Sequence, residues 1–441
     1  MVLVINGKSM NRVLCAAVFY MFIMGFLIHD IGLPIGIMAL LDIIVAFGLL
    51  FSLRSLSKRL SYTKAGTLFT ICAVLFFVGV LHALLERVSP TLILDGMRNS
   101  FRGMFTFMVA VCLLQKDTIK KIIHLIELFF RINIVVCTIQ FFLLGVSHDN
   151  CNGLFGAGKM NSWTNILLCV ISILYFSQYM NRLIPLRRVV VNIVLCLYVA
   201  ILAELKFYFF ELIMIAMVMV LLEKPSWRTF ALCLVGGLAL SGMLTLFIAF
   251  WEDSSMFTIE GIRYYLDPDR SFGYSAMGDW GRIGGIANAT KKFFSQSLNL
   301  FGMGLGYCGF DTPFYDRYGW LHYNWFSYIS IFLEQGWVGT IGYFSFFVVS
   351  FLTLRKRRKT AKTADARVIY DISMIMSLLG VVLMIYNSTV TGYPAFFLFL
   401  LLGIAYRYEL DDGVTSKAEA YKEQSNGYLI NDNSLKNSSL G

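Results

Sequence analysis

The sequence predicts an all-α fold, a polytopic integral membrane protein with about twelve transmembrane helices and one large outer loop. Of its 441 residues, 58% are hydrophobic and only 15% are charged, and the mean hydropathy is +0.69. A soluble domain of this length would need more charged side chains to cover its surface. Apolar runs recur from end to end, and each is long enough to cross roughly 30 Å of hydrocarbon.

Each of these apolar runs is predicted to form one span. In chain order they cover residues 12–29, 31–53, 66–86, 102–115, 122–146, 162–180, 189–204, 207–222, 229–250, 323–353, 368–390 and 392–408. The whole region 1–408 is therefore predicted to be one transmembrane domain.

The positions of the basic residues predict the orientation of the spans. They form short clusters between spans, which are 54–64, 116–121, 182–188, 224–228 and 355–359. All five fall on one side, and an excess of Lys and Arg marks the cytoplasmic side of a membrane protein. The net charge of +10 is thus explained without a nucleic-acid partner. An even number of spans places both termini in the cytoplasm.

The two ends of the chain are interpreted separately. The first apolar run lacks a small-residue cleavage site, so we expect no cleavable signal peptide. The segment 409–441 is polar and rich in Ser, Asn and Lys, and we expect a disordered cytoplasmic tail.

The opposite, outer face then carries five segments. They are the turn at His29 and Asp30, the region 87–101, the loop 147–161, a tight turn near Lys206, and the long loop 251–322. The long loop is too long for a bare connection and is rich in aromatic residues, Gly and Asp. Such aromatic residues suit the binding of sugar rings, and they equally suit anchoring at the membrane interface.

Two glycine-containing motifs flank a histidine in and after the long loop. Asn299-Leu-Phe-Gly-Met-Gly-Leu-Gly306 precedes His322, and Glu334-Gln-Gly336-Trp-Val-Gly339 follows it. This pattern resembles the O-antigen polymerase and ligase family. In that family a basic residue precedes the glycines, as Arg282 does here. A second basic residue occupies a short outer hairpin, where this chain has Lys206 in Ala203-Glu-Leu-Lys-Phe207. The resemblance implies a GT-C-like membrane glycosyltransferase architecture.

The sequence departs from the family pattern in two places. Tyr323 separates His322 from Asn324, where the family often has His followed directly by Asn. Lys206 replaces the usual arginine of the hairpin, and lysine offers a point charge instead of a planar bidentate fork. Phosphate binding is compatible with that change.

The chemistry implied by the resemblance is transfer of a glycosyl group from a lipid-linked diphosphate to a sugar hydroxyl. The implied base is His322, since imidazole titrates near neutrality. The residues expected to bind the diphosphate are Arg282, Lys206, Arg98 and Arg102. Those expected to hold the sugar and shape the loop are Tyr323, Asn324, Gly304 and Gly306. We expect fixed cations to stabilise the leaving group, with no metal ion and no other cofactor.

Each assignment has a structural alternative. His322 could cap a helix that begins near Tyr323, Arg282 could be a solvated loop charge, and Lys206 could extend to the membrane interface. Arg98 and Arg102 could anchor headgroups. For Glu334 we favour a role in orienting the start of the next helix over a role as an acid.

Other ionisable and thiol groups have uncertain roles at this level. Asp42 and Arg131 lie within predicted spans, where they could pair with each other, and Glu127 is a nearer partner for Arg131. Cys151 and Cys308 are the two cysteines of the outer loops, and they could form a disulfide.

Three classes of function compete. The first is polymerisation of polyprenyl-diphosphate-linked oligosaccharides into a surface polysaccharide at the outer face of a bacterial cytoplasmic (inner) membrane. The second is ligation of the finished glycan to a lipid or protein acceptor. The third is transport, which is disfavoured because no repeated half is evident. We prefer the polymerase because such proteins are numerous and diverse. The expected partners are the lipid-linked oligosaccharide, membrane lipids, and a chain-length regulator and flippase of the same pathway.

Overall fold

A computed structural model describes residues 7–53, 65–158, 161–223, 226–251, 257–266, 283–295 and 299–408. Within these ranges the secondary structure is helical, with no β-strand. The helices are α1 (Gly7–His29), α2 (Ala39–Leu53), α3 (Gly66–Leu85), α4 (Pro90–Leu113), α5 (Lys116–Phe142), α6 (Asn161–Met180), α7 (Leu186–Leu202), α8 (Lys206–Leu222), α9 (Trp227–Trp251), α10 (Ile259–Leu266), α11 (Gly285–Phe293), α12 (Pro313–Tyr318), α13 (Ser327–Thr360), α14 (Ala364–Tyr386) and α15 (Ala395–Tyr408). The all-α prediction is confirmed for this part of the chain.

Eight of the described helical segments are long and apolar enough to cross a membrane, so the protein is a multi-pass membrane protein. They correspond to α1, α2, α3, α5, α6, α9, α13 and α14. The four remaining predicted spans coincide with α4, α7, α8 and α15. Of these, α7 and α8 have 17 residues each, and α4 carries several charged side chains. The total of twelve spans therefore remains a prediction.

Two helices form the centre of the bundle. Nearly every residue of α6 is buried, and α14 is buried along most of its length. α14 packs against both α6 and α13, whereas α2 packs against α4, and α3 against α13. The outer helices expose large apolar side chains such as Phe77, Leu85 and Leu221. A continuous apolar exterior of this kind is suited to contact with lipid.

The fourth predicted span is part of a longer helix. The region 87–101 was expected to be an outer segment, but α4 begins at Pro90, with Ser89 as the N-cap residue whose hydroxyl accepts a hydrogen bond from the Leu92 amide. Proline fits the first helical position because its missing N–H would be unpaired there anyway. The helix therefore extends further towards the N-terminus than predicted span four, which starts at 102, and Asp95 and Arg98 lie inside it.

The long loop 251–322 has secondary structure of its own, as its length predicted. Its described parts include α10, α11 and α12. Arg282, the predicted tail 409–441 and the basic cluster 54–64 lie outside the described residues.

We expect the loop that contains α12 to face the outside and the C-terminal end of α13 to face the cytoplasm. Asp316 and Lys356 are both exposed, so either can be replaced by cysteine with little effect on packing. A membrane-impermeant maleimide applied to intact cells should label Asp316→Cys and not Lys356→Cys. Wild-type protein gives the background of the native cysteines. The reverse labelling pattern would overturn the orientation and every assignment that depends on it.

Candidate functional site

The first glycine motif forms a loop that packs against the N-terminal half of α4. Gly302, Gly304 and Gly306 all have positive φ, at 83°, 101° and 81°. At Gly306 a Cβ atom would lie 1.9 Å from the Leu92 carbonyl oxygen. Only glycine can satisfy both the left-handed backbone and this close approach. The Gly304 amide donates a hydrogen bond to the Glu334 carbonyl at 3.1 Å.

The second glycine motif produces a break inside α13. Gly336 has φ 61° and ψ −155°, which interrupts the helix. Beyond the break, the amides of Trp337 and Val338 donate to the carbonyls of Asn299 and Leu300, both at 3.0 Å. The loop thus supplies acceptors for amide groups that the interrupted helix leaves unpaired. The two motifs, which are separate in sequence, form one interlocked joint.

The side chain of Glu334 supports this joint from within. Its carboxylate accepts hydrogen bonds from the backbone amides of Cys308, at 3.3 Å, and Gly306. These bonds hold the end of the glycine loop against α13, in keeping with the predicted orienting role for Glu334.

His322 lies on a sharp turn between the glycine loop and the first residue of α13, Ser327. Its backbone is left-handed (φ 52°, ψ 28°), and it connects two short 3-10 turns. The imidazole is half-buried and stacks on the Trp325 indole with ring centroids 4.0 Å apart. α13 begins only at Ser327, after Phe326, and His322 does not cap it. The stacking fixes the plane of the ring. The alternative role as a helix cap does not apply to His322.

The two residues after His322 differ in environment. Tyr323 is buried, and its hydroxyl donates to the Cys308 carbonyl at 2.7 Å, so its polar atom is engaged inside the loop. Burial raises the pKa of the Tyr323 phenol, and the nearby Cys308 thiol acts in the same direction. The Oδ1 atom of Asn324 is buried and accepts no hydrogen bond from any described residue. An unused buried acceptor is unusual in a folded protein, and here it lies beside the histidine.

Arg98 and Arg102 lie on α4 and share a carboxylate. Asp42 of α2 lies 3.8 Å from the Arg98 Nε and 3.5 Å from the Arg102 Nε. Arg102 is buried, and its guanidinium lies 3.8 Å from the centre of the Tyr393 ring. Arg98 is the more accessible cation, with 43% of its side chain exposed. Arg102 is therefore held inside the bundle, while the more exposed Arg98 also pairs with Asp95 at 3.3 Å in the N-terminal half of α4.

The same contact corrects the expected partner of Asp42. The sequence left open a pair between Asp42 and Arg131, but Asp42 pairs with Arg98 and Arg102 instead. Arg131 interacts with the phenol of Tyr175, which also contacts Glu127. Sequence alone could not place α2 beside α4.

The turn 387–394 connects the His322 region with α4. The amide and hydroxyl of Ser327, the first residue of α13, donate to the Asn387 carbonyl at 2.9 and 3.0 Å. The Val390 amide donates to the Ser327 hydroxyl at 3.1 Å. Tyr393, in the same turn, covers Arg102. The Oγ1 atom of the buried Thr389 has no hydrogen-bond partner among the described residues, which adds a second unused polar atom to this region.

Lys206 is the first residue of α8, and its neighbour Phe207 contacts the residue that precedes the turn 387–394. The ring of Phe207 stacks on Tyr386, the last residue of α14, with centroids 3.7 Å apart. Tyr386 directly precedes the turn that binds Ser327. Contacts of residues next to Lys206, His322 and Arg98 are thus linked through the turn 387–394.

A histidine that the sequence analysis did not select lies beside Lys206. The Nδ1 atom of His148 is 2.5 Å from Glu204 Oε2, and the Lys206 Nζ is 3.0 Å from the other Glu204 oxygen. The His148 ring also lies against Trp251, with centroids 4.6 Å apart. Burial raises the pKa of the neighbouring Asp149, and the nearby Glu204 carboxylate acts in the same direction. The signal available in the sequence was Glu204, two positions before Lys206 in the predicted outer turn.

The disulfide that the sequence left open between Cys151 and Cys308 is not formed, and all nine cysteines are free. The Cys151 thiol donates to the Cys137 carbonyl at 3.6 Å, while Cys308 lies beneath Tyr323. Membership of the outer loops did not imply proximity.

Known proteins offer no independent assignment. No protein-family model matches the chain, and no curated protein matches it. Among the described residues, no group of three or more His, Cys, Asp or Glu side chains is arranged to hold a metal ion.

Proposed function

We propose that the protein is a membrane glycosyltransferase that polymerises polyprenyl-diphosphate-linked oligosaccharide repeat units at the outer face of a bacterial inner membrane. The observation that supports this most directly is the interlocked joint between the two glycine motifs. His322 lies in the segment that connects the glycine loop of this joint with α13, and contacts through the turn 387–394 link the start of α13 with the helices that carry Arg98 and Lys206. A lipid-linked donor lies in the membrane with its diphosphate at the membrane surface. The protein must therefore bind the diphosphate at one end of the helical bundle.

The cations in this region have distinct parts in the proposal. Arg98 and Lys206 are the proposed contacts of the diphosphate, and Arg282, in the same predicted outer loop as His322, is the third. Arg102 is a positioning residue, since it is buried between Asp42 and Tyr393. Fixed cations aimed at a departing diphosphate stabilise the charge that develops on it in the transition state.

In the proposed reaction His322 is the general base. The acceptor hydroxyl gives its proton to the imidazole, and its oxygen forms a bond to the anomeric carbon of the donor sugar. The bond from that carbon to the phosphate oxygen breaks, and polyprenyl diphosphate leaves with the electron pair. Asn324 is the proposed contact of a sugar hydroxyl, which requires that its buried Oδ1 atom become accessible when the substrate binds.

His148 is the alternative base. Its contact with Glu204 resembles the base–carboxylate pairs in which the carboxylate orients an imidazole, and its side chain is 62% exposed. The same Glu204 also binds Lys206. This arrangement equally suits an ion-paired surface network. Replacing each histidine in turn by asparagine distinguishes the two roles.

The purified full-length protein should convert a lipid-linked repeat unit into a ladder of longer oligosaccharides without any other protein. Gel analysis of the products measures this directly. Product that appears only when a separate lipid or protein acceptor is added would favour a ligase. The absence of glycan transfer under both conditions, in folded protein, would contradict the proposal.

Arg282→Ala should reduce transfer by about 10²–10³-fold, the usual effect of removing one preorganised group that stabilises developing charge. Arg282→Lys should lose less because it keeps the charge and lacks only the bidentate fork. Arg317→Ala is a matched control, because Arg317 is an exposed cation of the same loop. Equal activity of Arg282→Ala and Arg317→Ala would show that Arg282 is only a solvated charge.

A further inference from the structure

A cavity of about 720 Å³ lies at the end of the bundle opposite the candidate site. It is formed where α6, α8 and α13 end and where α9 and α14 begin. Its ionisable lining residues are Arg182, Glu223, Arg228, Arg358, Lys359 and Arg367. The lining thus has five cations and one carboxylate, and we call it the basic cavity. Its position is the end that the basic clusters mark as cytoplasmic.

Arg358 forms the rigid base of the basic cavity. It is 9% exposed and donates hydrogen bonds to Asp371 and Glu223. Asp371 is fully buried and also accepts a bond from the Ser177 hydroxyl at 2.5 Å. The charge of Arg358 is therefore compensated within the protein.

The four other cations have no such compensation. No carboxylate lies within ion-pairing distance of Arg182, Arg228, Lys359 or Arg367 in the part of the chain that the structure describes. Arg228 is nevertheless fixed, because it donates to the Tyr179 carbonyl at 3.1 Å and lies 5.5 Å from the centre of that ring. Like charges around one cavity repel each other, and an anion between them would remove that repulsion.

We propose that the basic cavity binds a phosphate-bearing anion from the cytoplasmic side. Guanidinium groups match phosphate geometry through paired hydrogen bonds, and three of the four uncompensated cations are arginines. The ligand chemistry is a phosphate mono- or diester, supplied by the headgroup of an anionic phospholipid or by a soluble phosphate compound. Trp227 lines the cavity and is 78% exposed, as expected of a residue at the lipid interface. The proposal is independent of the glycosyl-transfer assignment.

The test uses the full-length protein in lipid nanodiscs. The first arm compares discs of phosphatidylcholine alone with discs that also contain phosphatidylglycerol, and native mass spectrometry counts the phosphatidylglycerol molecules that remain bound. The second arm adds inorganic phosphate to phosphatidylcholine discs and measures the shift in thermal unfolding. Retention in the first arm identifies a lipid headgroup, whereas stabilisation in the second identifies a soluble anion.

The variants are chosen to leave the fold intact. Arg182→Gln and Arg367→Gln remove exposed cations without uncovering the buried Asp371, which an Arg358 variant would do. Removal of one cation near a membrane surface weakens the binding of an anion by about fivefold, so the double variant should bind the anion about 25-fold more weakly. Arg187→Gln removes an exposed cation at the same end that does not line the cavity, and it should bind like wild type. Equal losses in the double variant and the control, or no binding in either arm, would overturn the proposal.

Discussion

His322→Asn is expected to reduce polymer formation by about 10²–10⁴-fold, the usual contribution of general-base catalysis. Asparagine is a sharper substitution than alanine here because His322 has φ 52°. Asparagine tolerates the left-handed region better than other non-glycine residues, so the turn should keep its shape. Its amide cannot accept the proton from the acceptor hydroxyl. The measurement is turnover of purified protein with a lipid-linked repeat unit, together with the binding of the donor, which should be largely retained.

His148→Asn is the matched control because His148 also has a left-handed backbone, at φ 57°. The same substitution is thus made in the same conformation at both histidines. If His322 is the base, His148→Asn should retain most activity. A large loss confined to His148→Asn would transfer the role of base to His148 and its partner Glu204.

Much of the fold could be predicted from local sequence, because each long apolar run indicates a helix. Each predicted span coincides with a helix, and α10, α11 and α12 confirm that the long loop has structure of its own. The largest difference lies at α4, which begins well before predicted span four, because Arg98 and Arg102 interrupt the apolar pattern although they lie inside the helix. A hydropathy profile places the end of a span at such charges, because it contains no information on the compensating carboxylate of Asp42 in another helix.

The candidate site was predictable only where its residues are close in sequence. The motifs around Gly306 and Gly336 pointed to a constrained loop, and the structure brings them into direct contact. The pairing of His148 with Glu204 joins residues that are 56 positions apart. The turn 387–394, which links α4 to the start of α13, contains nothing that marks it as a meeting point. Contacts of this kind depend on how the helices pack, and helix periodicity does not encode that.

Gly306→Ala is expected to disrupt the interlocked joint. The added Cβ would lie 1.9 Å from the Leu92 carbonyl oxygen, on a backbone with φ 81°. A left-handed conformation is unfavourable by about 1–2 kcal/mol for a residue with a Cβ, and relieving an overpacked contact costs about 1–3 kcal/mol more. We therefore expect the free energy of unfolding to fall by roughly 2–5 kcal/mol. Displacement of the loop by even about 1 Å could lower turnover by about 10²-fold, because the reacting groups would be misaligned.

Gly309→Ala provides the matched control three residues further along the chain. A Cβ there would meet its nearest neighbour, the Gly306 carbonyl oxygen, at 3.3 Å, and the backbone is not left-handed. Its unfolding temperature in detergent and its turnover should therefore stay close to those of wild type. The comparison separates a general effect of adding a methyl group to the loop from the specific contact with α4. If Gly306→Ala were as stable and as active as both Gly309→Ala and wild type, Gly306 would not pack against Leu92 in the functional protein, and the joint could not then be what positions His322.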